Sequence, residues 1–420
     1  MSDVISDFIR KAQAQSVEKA VRVLDLKLPR KDDQGGPCPR CGGKDRFAVS
    51  LAKGKWNCRH CGTGGGNGLG LVGHVRGYDL HARPDLFEAC ALLLGETIPE
   101  EGKGESDEER QARERRLKAD LEQAERDAAE RAEKNRSFRE REITRSRGIY
   151  LHALAAPHPE DSPLREYLRL RTGYAAPDAI FEDIRFIPRC TYWHGQDERG
   201  NPISHHVGFA MIAPFVNLGG QITGCHQTWI DLSTPPKFRP FLGVDDKGSP
   251  LPTKKMRGTK KGSIIPVCGD PGSSRWLGGE GIETTIAVAG LEGFRADTFY
   301  FATGELGNMA GPADPKSAFN HPTLTTMDSR GRSRPVRVAG PVPKPDQSPS
   351  DAYQLPDHVD EVVHLADGDS EIVFTAAALE RASIRLARPG RVIRPWWPPE
   401  DMDFAEALCG ARLVNGGDKT

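Results

Sequence analysis

Hydrophobic positions along this 420-residue chain follow two different patterns. Near the N-terminus, and again over residues 69–76 and 84–94, they recur three or four positions apart, which predicts short amphipathic helices. Between residues 274 and 410, short apolar runs typical of buried strands alternate with helical segments. The strands are predicted over residues 276–279, 298–302, 361–366 and 391–395, and the helices over residues 282–289 and 372–387. This alternation predicts a doubly wound parallel α/β sheet.

Polar and charged residues dominate the stretch from residue 102 to residue 147, where 27 of 46 residues are charged. Oppositely charged side chains stand four positions apart in it, as Glu122 and Arg126 do, which favours a solvated helix. We therefore interpret this stretch as a helical linker between two domains.

These patterns divide the chain into five parts and predict a multidomain α/β protein. The parts are N-terminal helices (1–30), a small cysteine-containing module (31–98), the charged helical linker (99–147), a mixed α/β central domain (148–265) and the domain with the parallel sheet (266–410). A segment rich in proline, serine and glycine, residues 310–357, is predicted to be a surface insertion in the last domain.

The composition excludes several classes of protein. No apolar run reaches the roughly 18–20 residues of a membrane helix, and the N-terminus lacks the charged and apolar blocks of a signal peptide. We therefore expect a cytoplasmic protein with no membrane partner. The formal net charge is −1, so any contact with nucleic acid has to be local. One local basic run comprises Lys254, Lys255, Arg257, Lys260 and Lys261.

Four of the nine cysteines form two Cys-x-x-Cys pairs, Cys38 with Cys41 and Cys58 with Cys61, separated by sixteen residues. Two such pairs at this distance are typical of a structural zinc site. Four thiolates leave no open position on the metal, so we expect it to fold the module, a zinc ribbon, rather than to catalyse. A redox function is the alternative, and two matched pairs favour metal binding over it.

Basic and aromatic residues lie between the two cysteine pairs. Lys44, Arg46 and Lys55 could contact phosphates and Trp56 could stack on a base, as in proteins that bind single-stranded nucleic acid. The alternative is that Phe47 and Trp56 form the core of the ribbon, and in a module this small at least one of them has to. The basic side chains are therefore stronger candidates than the rings.

Three carboxylates follow predicted buried strands, and they are Glu280, Asp367 and Asp369. Acids at such positions rarely lack a cation to neutralise them, and hard divalent cations prefer carboxylate oxygens. Alternate residues of an extended chain point the same way, so Asp367 and Asp369 can face one ion. Two further acids, Glu283 and Glu371, either assist at this site or cap the helices that follow the strands.

Two parts of the sequence resemble known families. Cys-Pro-x-Cys-Gly-Gly-Lys-Asp-Arg-Phe from Cys38, with Trp-x-Cys-Arg-His-Cys-Gly from Trp56, resembles the primase-type zinc-binding domain of phage and mobile-element DNA primases, over about residues 35–95. Gly-Glu-Gly-Ile-Glu-Thr around Glu280 and Asp-Gly-Asp from Asp367 resemble the two acidic motifs of the Toprim fold. Toprim is the catalytic module of bacterial-type primases and topoisomerases.

The resemblance implies a DNA primase, a nucleotidyltransferase that makes short primers on single-stranded DNA from nucleoside triphosphates during replication, with Mg²⁺ or Mn²⁺. Glu280 would bind the metal or act as acid or base, with Asp367 and Asp369 as the aspartate pair. Asp403 is a further candidate magnesium contact, although the residues after it depart from the family's pattern. The basic run from Lys254 would guide template or nucleotide phosphates, and a solvated loop is the alternative.

Two other functions remain open. Toprim nucleases and topoisomerases use the same acids, but no tyrosine here has the context of a topoisomerase nucleophile. A non-catalytic replication accessory protein that binds single-stranded DNA is the third hypothesis, and the three retained carboxylates argue against it. The chain contains no Gly-x-x-x-x-Gly-Lys-Ser/Thr loop, so we expect any replicative helicase to be a separate partner.

Overall fold

A computed structural model describes residues 3–29, 34–59, 61, 63–99, 106–154, 162–197, 199, 201–245, 248–327, 333–368 and 370–415. The chain divides into two compact units. The first comprises residues 1–138 with 319–338, and the second comprises residues 139–318 with 339–420. Within the described ranges, none of the helices has an apolar stretch of membrane-spanning length.

The first unit contains four short helices and a small antiparallel sheet that share one core. The helices are α1 (Asp3–Gln13), α2 (Val17–Val23), α3 (Gly68–Arg76) and α4 (Arg83–Leu94), and the strands, paired in chain order, are β1 (Gly36–Cys38), β2 (Gly42–Ser50), β3 (Lys55–Cys58) and β4 (Thr63–Gly65). Phe8 of α1 and Leu71 of α3 pack in the same hydrophobic cluster as Phe47 and Trp56 of the sheet. The N-terminal helices, which the sequence suggested as a separate part, therefore share the core of the cysteine module.

A single helix, α5 (Asp107–His152), runs for 46 residues. Most of its described side chains are exposed, and oppositely charged residues lie one turn apart, as Glu130 and Lys134 do at 2.5 Å. Each exposed pair of this kind contributes only about 0.3–0.5 kcal/mol. The exposed length of α5 is therefore supported by many weak pairs rather than by a buried face.

The second unit is built on a mixed sheet of nine strands. These are β5 (Arg185–Gln196), β6 (Pro202–Asn217), β7 (Ile222–Trp229), β8 (Lys254–Gly258), β9 (Ser263–Cys268), β10 (Arg275–Gly279), β11 (Thr298–Ala302), β14 (Glu361–Leu365) and β15 (Val392–Trp396). Their order is β15-β14-β10-β11-β9-β6-β7-β8, with β5 paired to β6. Strands β10, β11, β14 and β15 are parallel to one another.

Helices lie on both faces of the parallel strands. The helices of this unit are α6 (Pro163–Thr172), α7 (Ile180–Asp183), α8 (Ile282–Leu291), α9 (Leu306–Ala310), α10 (Ile372–Leu386) and α11 (Phe404–Asn415), with a 3₁₀ turn at Pro315–Ser317. Because neighbouring strand residues point to opposite faces, Leu277 packs with Ile286 of α8 and Trp276 packs with Leu379 of α10. Both faces are thus buried, which explains the almost wholly apolar strands.

The sheet is mixed rather than parallel throughout, and it crosses the boundary predicted at residue 265. Strand β9 is antiparallel both to β11 and to β6, so the central α/β region and the parallel strands share one sheet. Residue patterns show that a strand is present, but they do not show its direction or its neighbours. Residues 148–265 therefore do not form a sheet of their own.

The segment predicted as a surface insertion, residues 310–357, is only partly at the surface. It contains a hairpin of β12 (Phe319–Met327) and β13 (Ser333–Val338), most of whose described side chains are exposed. Tyr353, in contrast, is fully buried, and its hydroxyl forms a hydrogen bond with His364 Nε2 of β14. The composition of this segment did not reveal that its last part belongs to the core.

Candidate functional site

Four thiols converge in the first unit. Cys38 ends β1, Cys41 precedes β2, Cys58 ends β3, and Cys61 follows in the next turn. Their Sγ atoms all lie within 4.8 Å of one another, and the Cys41 and Cys58 Sγ atoms are 3.6 Å apart. The two Cys-x-x-Cys pairs thus meet at one end of the small sheet, as the sequence predicted.

The surroundings of the thiols fit a bound Zn²⁺. The N–H groups of Arg40 and Cys61 each donate to a sulfur, that of Cys38 and that of Cys58 respectively, at 3.4 Å. Hydrogen bonds with Cys38 and Cys58, together with burial, raise the pKa of the Cys61 thiol. A dication is therefore needed to hold all four as thiolates, and tetrahedral thiolate coordination is what structural zinc sites provide.

The aromatic rings of this module are core residues. Trp56 is 5 % exposed and Phe47 is 6 % exposed, so neither offers a face to a base. This corrects the prediction that Trp56 contacts nucleic acid. Along β3, exposed and buried residues alternate, which leaves Lys55 exposed beside the buried Trp56. Arg46 is half-buried, and the side chain of Lys44 lies outside the described residues.

The second unit contains a cleft of about 270 Å³ at the carboxyl ends of its parallel strands. Glu280 follows β10, Asp367 follows the neighbouring strand β14, and both line the cleft. The chain leaves the two strands in opposite directions across the sheet, from β10 to β11 and from β14 to β15. The acids therefore lie at a topological switch point, where open α/β sheets bind ligands.

Glu280 lies in surroundings that favour a cation. Burial raises the pKa of its carboxyl, the nearby Glu305 raises it further, and Lys254 opposes both effects. Glu305 comes close because the Gly304 N–H donates to the Glu280 carbonyl oxygen (2.9 Å), which ties the end of β11 to the end of β10. The half-buried Glu280 carboxylate is thus available to a proton or a metal ion.

Asp403 lines the same cleft but has other partners. Its Oδ1 accepts the Glu406 N–H (2.7 Å) at the start of α11, and its Oδ2 lies 4.0 Å from Arg171 Nη2. Asp369 lies outside the described residues. Among the residues that are described, the four cysteines are the one group of three or more such side chains close enough together to hold a metal ion. The carboxylates share a cleft without forming a compact ligand cluster.

Gly368 explains how the chain after β15 reaches this cleft. A Cβ at Gly368 would lie 2.2 Å from the Met402 carbonyl oxygen and 2.7 Å from Pro398 Cγ. Only glycine permits this approach of one backbone to the other. The contact places the segment that contains Asp403 beside Asp367.

Glu283 is a structural counter-ion. It is buried, and its carboxylate accepts hydrogen bonds from the Tyr167 hydroxyl (2.8 Å), Arg239 Nη2 (3.0 Å) and Lys254 Nζ (3.0 Å). Burial alone would raise its pKa, but Lys254 and Arg239 hold the pKa well below the usual value. Glu283 also lies in the first turn of α8, where a negative charge is favourable. Glu371 caps α10, because its Oε2 accepts the Phe374 N–H (2.9 Å).

The first three basic residues of the run, Lys254, Lys255 and Arg257, lie on strand β8, whereas Lys260 and Lys261 follow it. Of the five, Lys254 lines the cleft. The lining of the cleft does not include Lys255, Arg257, Lys260 or Lys261, although Lys260 acts on the pKa of Glu280 at its edge. Lys255 Nζ lies 3.5 Å from the centroid of the Tyr192 ring, and Lys260 pairs with Glu305. Alternation along the strand thus separates residues that form one block in the sequence.

Several charged residues in and beside the cleft were missed by the sequence analysis. Arg171, Lys237 and Arg239 line it. Arg171 is 7 % exposed, and its Nε has no hydrogen-bond partner among the residues that the structure describes. These cations come from distant segments, so no local signal could identify them. Glu305 could have been found, because it follows β11 much as Glu280 follows β10.

Two segments of the chain match known family models. Residues 33–69 match the zinc-binding domain of primase-helicase, and residues 140–266 match a domain of unknown function. No similar sequence was found among curated proteins. The cysteine module is thus similar to a known zinc-binding domain. This similarity and the cluster of four cysteines confirm the predicted zinc-binding site.

Three solved structures show a distant likeness. The catalytic core of DnaG is 15 % identical over 65 % of this chain and 75 % of that chain, with a TM-score of 0.32. The DnaG primase catalytic domain bound to ssDNA is 15 % identical over 67 % and 79 %, with a TM-score of 0.34. A DNA primase domain from Pseudomonas aeruginosa is 12 % identical over 62 % and 69 %, with a TM-score of 0.32.

Proposed function

We propose that this protein is a DNA primase with a Toprim-type catalytic region, which joins nucleoside triphosphates on single-stranded DNA with Mg²⁺ or Mn²⁺. The observation that carries the proposal is the cleft at the switch point of the sheet, where acids and cations line the same cavity. Such a cleft offers ligands for a hard dication and positive charge for phosphates. A zinc module similar to that of primase-helicases, on the same chain, supports a function in DNA replication.

The metal site we propose consists of Glu280 and Asp367 with Asp369, and of Asp403 as an outer contact. A divalent cation would relieve the unfavourable burial of the Glu280 carboxylate beside Glu305. Asp403 is assigned an outer position because it already caps α11 and faces Arg171. Bound in this way, the metal would stabilise the attacking and leaving oxygens of phosphoryl transfer.

The reaction we propose forms one phosphodiester bond in each step. The 3′-hydroxyl gives up its proton to water or to the Glu280 carboxylate, and its oxygen attacks the α-phosphorus of the incoming triphosphate. The bond from this phosphorus to the bridging oxygen breaks, and pyrophosphate leaves. Arg171, Lys237 and Arg239 supply positive charge for the phosphates. Arg171 is the strongest of these candidates, because its guanidinium is buried and its Nε has no partner within the described part of the chain, so it gains most from an anionic ligand. On the zinc module, the exposed Lys55 with Arg46 and Lys44 would contact the template backbone.

The test is template-dependent synthesis by the purified protein. Wild type, Glu280→Gln and Asp367→Asn are incubated with single-stranded DNA, labelled nucleoside triphosphates and Mg²⁺ or Mn²⁺. Glu166→Gln, an exposed change on α6, is the matched control. We expect short oligomers from wild type and the control, and none from the two cleft variants.

The other hypotheses give different results. Strand cleavage without nucleotide addition would replace the primase by a Toprim nuclease or topoisomerase-like enzyme. DNA binding that survives both cleft substitutions, with no product from wild type, would favour a non-catalytic accessory protein.

A further inference from the structure

One buried histidine of the zinc module has no role in the reaction proposed above. His74 lies on α3 and is 4 % exposed. Its Nε2 lies 3.2 Å from Cys38 Sγ, and its Nδ1 lies 3.1 Å from Thr63 Oγ1. Both ring nitrogens therefore have partners, one of them a predicted zinc ligand.

The packing of His74 fixes the plane of its ring. The ring stacks on Phe47, with centroids 5.9 Å apart and planes at 10°, and it lies 4.9 Å from the centroid of Trp56. These two rings are buried in the core of the module. Because the ring cannot turn without disturbing this core, its Nε2 stays directed at the sulfur.

The chemistry of the two partners determines which nitrogen carries the proton. A zinc-bound cysteine is a thiolate, which has no proton to donate, so Nε2–H must be the donor to Cys38 Sγ. In the neutral ring, Nδ1 is then an acceptor, and the Thr63 hydroxyl can donate to it. Thr63 thus selects the tautomer that His74 needs to reach the thiolate.

We propose that His74 is a positioning residue of the zinc site, which donates a hydrogen bond to the Cys38 thiolate and slows release of the metal. The inference rests on the zinc site alone and is independent of the chemistry proposed for the cleft. Hydrogen bonds to ligating atoms orient the ligand and tune its charge, and their loss typically costs about 10- to 100-fold in metal affinity. A hydrogen bond to thiolate sulfur also lowers its reactivity towards electrophiles and oxidants.

The test is the rate of zinc release from the full chain. Zinc-loaded wild type, His74→Phe and His74→Gln are mixed with a chromogenic chelator, and the coloured complex is followed with time. Phenylalanine keeps an aromatic ring against Phe47 and Trp56 but has no donor, whereas the glutamine Nε2 can replace the histidine Nε2. His81→Phe, at an exposed histidine of the same unit, is the matched control.

We expect His74→Phe to release zinc about 10- to 100-fold faster than wild type, with His74→Gln and His81→Phe close to wild type. Release by His74→Phe at the wild-type rate would overturn the proposal and leave His74 as a packing residue. Cobalt(II) substitution supplies a second measurement. The intensity of the thiolate-to-cobalt band, which reports the number of bound thiolates, should be unchanged in His74→Phe. A change in that number would overturn the proposal and make His74 a ligand instead.

A second variant keeps the proposal testable if His74→Phe does not fold. Thr63→Val leaves the histidine in place but removes the hydroxyl that selects its tautomer. We expect zinc release several-fold faster than wild type, with an unchanged far-ultraviolet circular dichroism spectrum. An unchanged release rate in a folded Thr63→Val would overturn the tautomer argument and with it the proposal.

Discussion

Replacing Glu283 by glutamine would remove one buried negative charge and keep the shape of the side chain. Glu283 is 3 % exposed, and its two cationic partners, Arg239 and Lys254, would be left without it. Removing one member of a buried ion pair costs about 3–5 kcal/mol. Because the Lys254 side chain is 31 % exposed and therefore partly solvated, we expect a loss of unfolding free energy at the lower end of this range, about 3 kcal/mol.

The measurement is urea unfolding followed by tryptophan fluorescence and circular dichroism. With a slope of about 3 kcal/mol per molar urea, a loss of about 3 kcal/mol lowers the midpoint by about 1 M. Glu166→Gln is the control, because it breaks the exposed ion pair with Arg169 on α6 and should cost no more than about 1 kcal/mol. Equal midpoints for Glu283→Gln and wild type would refute the view of Glu283 as a counter-ion.

The same variant makes a prediction about pH. The folded-state pKa of Glu283 is held well below the ordinary value of 4.5, so its contribution is present above pH 4.5 and is lost as the pH falls through the folded-state pKa. The difference in unfolding free energy between wild type and Glu283→Gln should therefore be constant near neutral pH and shrink below about pH 4.5. A difference that grows on acidification would have the wrong sign.

Three further predictions follow from burial and hydrogen bonding. Trp56→Ala should lower the unfolding free energy of the zinc module by about 3–5 kcal/mol. If the variant unfolds like wild type but no longer binds DNA, Trp56 contacts nucleic acid and is not a core residue. Asp403→Asn should leave the melting temperature unchanged, because the asparagine Oδ1 can still accept the N–H at the start of α11. The same variant should bind Mn²⁺ more weakly in calorimetry, and unchanged Mn²⁺ binding would remove Asp403 from the metal site. Burial and, second, the charge of Lys254 lower the pKa of His226 from 6.5 to about 3. The stability that the neutral His226 contributes should therefore be lost as the pH falls from 6.5 towards 3, and in urea titrations His226→Asn should lose less stability over this pH range than wild type.

The zinc module could be predicted because its chemistry is local. Each Cys-x-x-Cys pair forms a turn of its own, so the sequence shows both the zinc ligands and the turns on which they lie. The role of Trp56 could not be decided in this way, since an aromatic residue in a small module serves equally well as core or as stacking surface. Burial decided it.

The cleft was predictable only in part. Glu280 and Asp367 follow strands that their apolar runs identify, and neighbouring parallel strands end at one edge. The cations that line the cleft belong to α6, to the segment before β8 and to β8 itself. They lie near the acids because β9 joins the strands of the central region to the parallel strands. Such long-range pairing leaves no trace in a single sequence.

Because β9 pairs with β11, the parallel strands cannot be expressed as a separate fragment without exposing a strand edge. A fragment that begins at β10 would present the unpaired backbone of β11. Open edges of this kind recruit other chains, so this fragment should aggregate. Strand β9 is therefore a permanent cover for the edge of the parallel half of the sheet, and an insertion should be tolerated in the exposed β12–β13 hairpin but not within β9 or β11.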